Sequence, residues 1–254
     1  PPLVQSCASF EDGCLQDWDL MCKVLLQDDG DEALEGDQKE TLLKILIASL
    51  SVCSSGEPKR KGKGRQETKE SATAVLVSHL PKLLMSLGTE VPKMTLLMRL
   101  VSQLEFQAVT SQHKKDMDTI VSEVCEAILK GQDTLLFTAA CEALEALCSE
   151  DYCLRHMADP KIFLLQEKLC QHLEAAKTSF LKTGKLNLTQ TLWIQRLVLV
   201  GNVTNVCSPE SQPQALEAVL EMLRRSTLEG DETRLQTDAG CLLCHFACQS
   251  VCWL

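Results

Sequence analysis

The chain has 254 residues, 45% hydrophobic and only 4% aromatic, with a formal net charge of -10. The apolar fraction excludes a chain disordered by composition, and the acidic balance excludes a protein that coats DNA over its whole surface, because phosphate binding needs concentrated Lys and Arg. No uninterrupted apolar run of about 20 residues is present to span a bilayer.

In chain order, the apolar spacing predicts a first helix over about Phe10 to Leu26, then an acidic turn with Asp28, Asp29, Asp31 and Glu32. That turn lacks the alternate-position carboxylates and central Gly of a calcium loop and reads as solvated. Asp37 with Glu40 three residues on predicts a capping box for a helix facing the core through Leu42, Leu43, Leu46, Ile47 and Leu50. A Ser-, Gly- and Lys-rich stretch, residues 54–69, reads as a flexible basic loop. A third helix follows over about Glu70 to Leu87, and a shorter one from Pro92, a favoured first helical position, to near Phe106.

The strongest periodicity lies in the middle. Ile120, Val121, Val124, Cys125, Ile128 and Leu129 form one stripe, and Leu135, Leu136, Ala139, Ala140, Ala143, Leu144, Leu147 and Cys148 the next. Ser111 and Asp133 are the expected caps, and the short connection between these helices forces them antiparallel. Asp159 and Pro160 are expected to open a seventh helix reaching about Phe180. Thr189 to Val206, apolar on most sides, reads as an inner, fully buried helix. Ser208 with Pro209, then Asp231, begin two more. Helix pairs therefore start near Glu70, Ser111, Asp159 and Ser208, a period in the range of HEAT repeats. The fold class expected is all-α, about ten helices in a HEAT-type α-solenoid over residues 1–254, with no β-sheet. Pro1 in place of an initiator Met, and a last helix running to Leu254, read as a segment of a longer solenoid.

The 14 cysteines read as reduced thiols, because Cys22, Cys53, Cys125, Cys141, Cys148 and Cys170 fall on or beside apolar helical stripes and a chain with a core needs no disulfide framework. Cys241, Cys244, His245, Cys248 and Cys252 resemble a zinc ligand set in composition only. On one helix their sulfurs spread over about 16 Å, whereas one metal gathers ligands at about 2.3 Å. They read as a core stripe, and no metal or cofactor is expected. The five His lie in different helices or loops, no nucleophile motif is present, and no catalytic residue is assigned. Lys59, Arg60, Lys61, Lys63 and Arg65 form the candidate contact site, a basic loop able to meet DNA phosphates or an acidic partner.

The order of these features resembles the central segment of the cohesin HEAT-repeat subunit of the stromal-antigen type. The Asp17-Trp18-Asp19 helix leads to GDQKETLLKILIASL, the basic loop, TKESATAVLVSHLPKLLMSL and VPKMTLLMRLVSQLEFQAV. Then comes HKKDMDTIVSEVCEAILKGQDTLLFTAACEALEALCSED. HLPKLL followed by the Val-x-Lys-x-Thr-x-Leu turn, and the EALEALCSED helix end, are the most specific pieces. The chain departs from the family in its basic loop, which lacks the Pro-Pro-Val turn. It departs again at Gln112, His113, Lys114 and Lys115, where the family begins a helix with Gly-Arg-Leu-Glu-Lys. The resemblance implies a non-enzymatic nuclear scaffold on chromosomes that binds the kleisin subunit and supports sister-chromatid cohesion, chromosome segregation and meiosis. It implies no membrane and no small-molecule substrate. A nucleic-acid-contacting module acting through residues 59–65, and a diverged copy without function, are the alternatives.

Overall fold

The computed structural model describes residues 17–27, 33–55, 64–148, 152–184, 186–203, 217–222 and 224, with side chains at all of these except 53–55, 64–68 and 202–203. Eight helices are labelled here: α1 Trp18–Leu25, α2 Gly36–Ser55, α3 Gly64–Leu87, α4 Val91–Val101, α5 Lys114–Lys130, α6 Thr134–Cys148, α7 Arg155–Thr183 and α8 Leu188–Val203. A further helical stretch covers 217–222, and no strand occurs among the described residues. The acidic turn, residues 59–63, the helix starts at Ser208 and Asp231 and the Cys241–Cys252 cluster lie outside them. The chain divides into two compact units, 1–158 and 159–254.

In the first unit each helix packs on its neighbour and on the next but one: α1 on α3, α2 on α4, α3 on α5, α4 on α6. The odd helices thus form one layer and the even helices a second, with the apolar seam between them. Met117, Ile120, Val121, Val124 and Ile128 of α5 meet Leu136, Phe137, Ala140, Ala143, Leu144 and Leu147 of α6 in this core. Leu135, expected on the stripe, is 63% exposed, and Phe137 takes its place inside. At about 100° per residue, position 135 falls off the arc that holds 136, 140, 143 and 147. α4 is the most enclosed helix of the unit, with every residue from Lys93 to Met98 buried, because both layers and α3 surround it.

Local chemistry set several ends differently from the expectation. Helix α2 starts at Gly36 and not Asp37: Gln38 Oε1 accepts from the Glu35 N–H at 3.0 Å, closing the reciprocal side of a capping box, while Glu40 pairs with Lys44 at 2.6 Å. Ahead of α5, Ser111 is not the cap: a Thr110–His113 capping box opens a 3-10 turn over Ser111–His113, and His113 is the N-cap of α5 without a side-chain cap bond. Asp133 caps α6 as expected, its Oδ1 accepting from Leu135 N at 2.9 Å and Leu136 N at 3.0 Å. Helix α4 carries Pro92 in its first turn but ends at Val101, and a 3-10 turn over Phe106–Ala108 follows.

Two prolines sit inside helices. α3 runs from Gly64 through Pro81, which has no N–H to offer the Val77 carbonyl; burial of Leu76, Leu80, Leu83, Leu84 and Leu87 outweighs that cost of about 3 kcal/mol. α7 begins at Arg155, a turn before the expected Asp159–Pro160 start. Arg155 N–H donates to Tyr152 O at 3.2 Å and Met157 N–H to Leu154 O at 2.9 Å, winding a tight turn that buries Tyr152, Leu154 and Ala158. The boundary between the two units falls between Ala158 and Asp159, within α7.

In the second unit α7 buries Ile162, Leu165, Leu169, Leu173, Ala176 and Phe180 at steps of three and four residues. α8 is only partly enclosed and not the fully buried helix expected: Ile194, Leu197, Val198 and Val200 are buried, Leu192, Trp193 and Leu199 are half-buried, and Leu188 is exposed. It starts at a reciprocal cap, Asn187 Oδ1 accepting from Gln190 N–H and Gln190 Oε1 from Asn187 N–H, both at 2.9 Å. Residues Ala218, Val219 and Met222 are buried in the last described helix.

Candidate interaction surface

The candidate surface is built from helix ends. The α3–α4 turn (88–90) and the α5–α6 turn (131–133) are short, so each pair is an antiparallel hairpin. The longer connection 102–113 carries the chain from the end of α4 to the start of α5, past the start of α3. There Lys69 Nζ pairs with Glu105 and the Glu105 N–H donates to Thr73 Oγ1 at 3.0 Å. Ser51 Oγ donates to Gln103 Oε1 at 2.8 Å, tying α2 to the same connection. One edge of the first unit therefore gathers the start of α3, the connection and the start of α5, where Lys114 and Lys115 are both exposed. Of the five expected contact residues, Lys59, Arg60, Lys61 and Lys63 lie outside the described residues, and Arg65 lies in the first turn of α3 with only its backbone described. Lys114 and Lys115, adjacent ahead of the α5 apolar stripe, add two exposed cations to this edge.

The remaining titratable groups are structural in their settings. Asp19 Oδ1 lies 2.9 Å from His79 Nε2, which ties α1 to α3, and Oδ2 lies 2.5 Å from Lys23 Nζ one turn along α1. Hydrogen bonds from Lys23 and then His79 hold the Asp19 carboxyl below its ordinary value. Burial, with a smaller contribution from Asp19, pushes the Cys22 thiol up to about 12; burial and Glu142 do the same to Cys141. Thiols so raised stay protonated and are poor nucleophiles or metal ligands. Cys22, Cys125, Cys141, Cys148, Cys153 and Cys170 are thiols outside any disulfide. His172 stacks on Trp193 with ring centroids 3.6 Å apart, and Arg196 Cζ lies 4.3 Å from the Trp193 centroid. Burial, and then the neighbouring Arg196, lower the His172 pKa. Among the described residues no group of three or more His, Cys, Asp or Glu is placed to hold a metal, and no helix is long and apolar enough to cross a membrane. The arrangement offers helix edges and hairpin turns for contact with another chain.

Comparison with known proteins decides the family. The model of the HEAT-repeats domain of cohesin subunit SCC3/SA matches residues 3–253. The chain belongs to the cohesin SCC3/SA HEAT-repeat family. The two-layer helix pairing is thus a HEAT architecture, and the family is of a structural, non-enzymatic kind. Cohesin subunit SA-3 of Homo sapiens is 28% identical over 197 residues, covering 70% of this chain and 16% of the relative. Cohesin subunit SA-3 of Rattus norvegicus is 26% identical over 212 residues, covering 75% of the chain and 16% of the relative. Cohesin subunit SA-1 of Xenopus laevis is 19% identical over 198 residues, 72% of the chain and 16% of the relative. The chain thus spans about a sixth of the length of these relatives.

Proposed function

We propose that this chain is a scaffold segment of a cohesin complex whose helix-repeat surface holds part of the kleisin subunit, in the nucleus and on chromosomes, in support of sister-chromatid cohesion and chromosome segregation. The single observation that carries this reading is the SCC3/SA match over residues 3–253. The hairpin array agrees with it: stacked helix pairs bury one seam between two layers and leave their edges for an extended partner. The test is co-purification with a kleisin fragment. A complex that survives size-exclusion chromatography supports the proposal, and clean failure, repeated with the flanking repeats included, overturns it.

A second reading is favoured by the exposed Lys114 and Lys115 beside the start of α3. In it, Lys59, Arg60, Lys61, Lys63 and Arg65 contact nucleic-acid phosphates without reading bases. Neutralising the five residues should weaken DNA binding and flatten its salt dependence, each lost phosphate contact removing about 0.9 from the slope. Unchanged affinity and slope would eliminate this reading.

A further inference from the structure

Three Ser/Thr–Gln dipeptides lie among the described residues: Ser102–Gln103, Ser111–Gln112 and Thr189–Gln190. As sequence they present the same local signal to a kinase that reads glutamine next to its acceptor. The fold treats them differently. Ser102 Oγ donates to the Arg99 carbonyl at 2.9 Å and Gln103 Oε1 accepts from Ser51 Oγ at 2.8 Å, so both side chains are engaged. Gln190 is engaged by the reciprocal cap with Asn187, and Thr189 lies within α8. At the third pair, Thr110, Ser111 and Gln112 are three consecutive exposed residues. The capping box that opens this turn is made by Thr110 and His113, with Thr110 Oγ1 3.3 Å from His113 Nδ1, and leaves the Ser111 and Gln112 side chains facing solvent. Upstream, Thr110 is extended, with φ -104° and ψ 170°. Ser111 itself lies in a single 3-10 turn, whose hydrogen bonds have poorer geometry than those of an α-helix.

We propose that Ser111 is a phosphorylation site for a serine/threonine kinase that reads glutamine immediately after the acceptor, and that the fold selects it over Ser102. In the reaction Ser111 Oγ attacks the γ-phosphorus of a nucleoside triphosphate. The bond from that phosphorus to the bridging oxygen breaks, a nucleoside diphosphate leaves, and the hydroxyl proton goes to the kinase's base. The product places a charge of about -1.5 to -2 just ahead of α5, three and four residues before Lys114 and Lys115. There it meets the positive end of the helix dipole and two cations, so it strengthens the α5 start. It also cancels the positive charge of that pair at the edge described above.

The test treats the folded full chain with a purified kinase of this preference and ATP, and locates phosphate by mass spectrometry. Short peptides spanning Ser102 and Ser111 serve as unstructured references. Both peptides should be modified. In the folded chain Ser111 should be modified and Ser102 slowed by about tenfold or more relative to its peptide, since each engaged side chain resists release by about 1 kcal/mol. Gln112→Ala, a change at an exposed position, should remove most labelling at Ser111 with an unchanged circular dichroism spectrum. Comparable labelling of Ser102 and Ser111 in the folded chain, no labelling of Ser111 in chain or peptide, or full labelling of the Gln112→Ala protein would each overturn the proposal.

Discussion

The hairpins α3–α4 and α5–α6 turn their corners at equivalent places yet stabilise them by different chemistry. Gly88 closes α3, its N–H donating to Leu84 O at 3.0 Å; Gly131 closes α5, its N–H donating to Ala127 O at 2.9 Å. The next helix starts two residues after a further residue in each, with Glu90 and Asp133 as N-caps. Asp133 is short enough for its carboxylate to reach the N–H groups of its own first turn. Glu90, one methylene longer, makes no cap bond and sits 2.5 Å from the Lys93 Nζ instead. That choice follows from α4's enclosure. An inner helix with a buried lysine needs a counter-charge more than it needs a side-chain cap, whereas α6 has no such lysine.

The largest expected effect is in the core both hairpins share. Leu97→Ala in α4 and Leu144→Ala in α6, each from 0% exposure, should each cost about 2–5 kcal/mol in urea unfolding. Leu135→Ala, at 63% exposure, should cost under about 0.5 kcal/mol. Equal losses at all three would break the two-layer description. Next come the turns. A Cβ on Gly88 would lie 2.2 Å from the Leu84 carbonyl oxygen, and one on Gly131 would lie 2.5 Å from that of Ala127. Both Gly→Ala changes should therefore destabilise by more than about 1 kcal/mol, Gly88→Ala the more. A neutral or stabilising Gly88→Ala in thermal melts would show that α3 does not close there.

The caps should then separate. Asp133→Ala should lose about 0.5–2 kcal/mol. Lys93→Met, which replaces a buried ion with an apolar side chain of similar volume, should be neutral or stabilising. If Lys93→Met is the more damaging of the two, the counter-charge account of α4 is wrong. The smallest effect is a pH dependence at the α1–α3 contact, where His79 of α3 holds Asp19 of α1. The folded carboxyl sits below its ordinary value of 3.8, so the folded state keeps this site ionised longer than the unfolded chain does. Its contribution is full above that value and is lost as pH falls through the lowered one. Asp19→Asn should remove that part of the acid dependence of stability, and identical pH profiles for the two proteins would count against it.

The α5–α6 pair was legible because every signal agreed: a 3.6-residue stripe on each helix, an Asp cap and a short connection. The start of α7 was not. Asp159–Pro160 is a sound local start, but Tyr152 and Leu154 lie in the core, and burying them draws the helix back a turn through Pro160. The α2 cap was misplaced for a related reason: Asp37–Glu40 and Glu35–Gln38 both fit a capping spacing, and only the packed helix decides which. At the candidate edge, the run from Lys59 to Arg65 is visible in the sequence as a charge cluster. That the start of α5, with Lys114 and Lys115, shares an edge with the start of α3 is not visible there, because the two helices are joined only by the packing of α3 on α5.

The sequence alone determined the helical class, the hairpin partners and the absence of a recognisable catalytic motif, because these depend on residue spacing within a turn or two of the chain. Which helix is innermost, which of several candidate caps is used and which Ser–Gln pair remains open to solvent were decided by tertiary packing. Those outcomes depend on burial and on partners such as Ser51 and Gln103, far apart in the chain and joined only when the layers close.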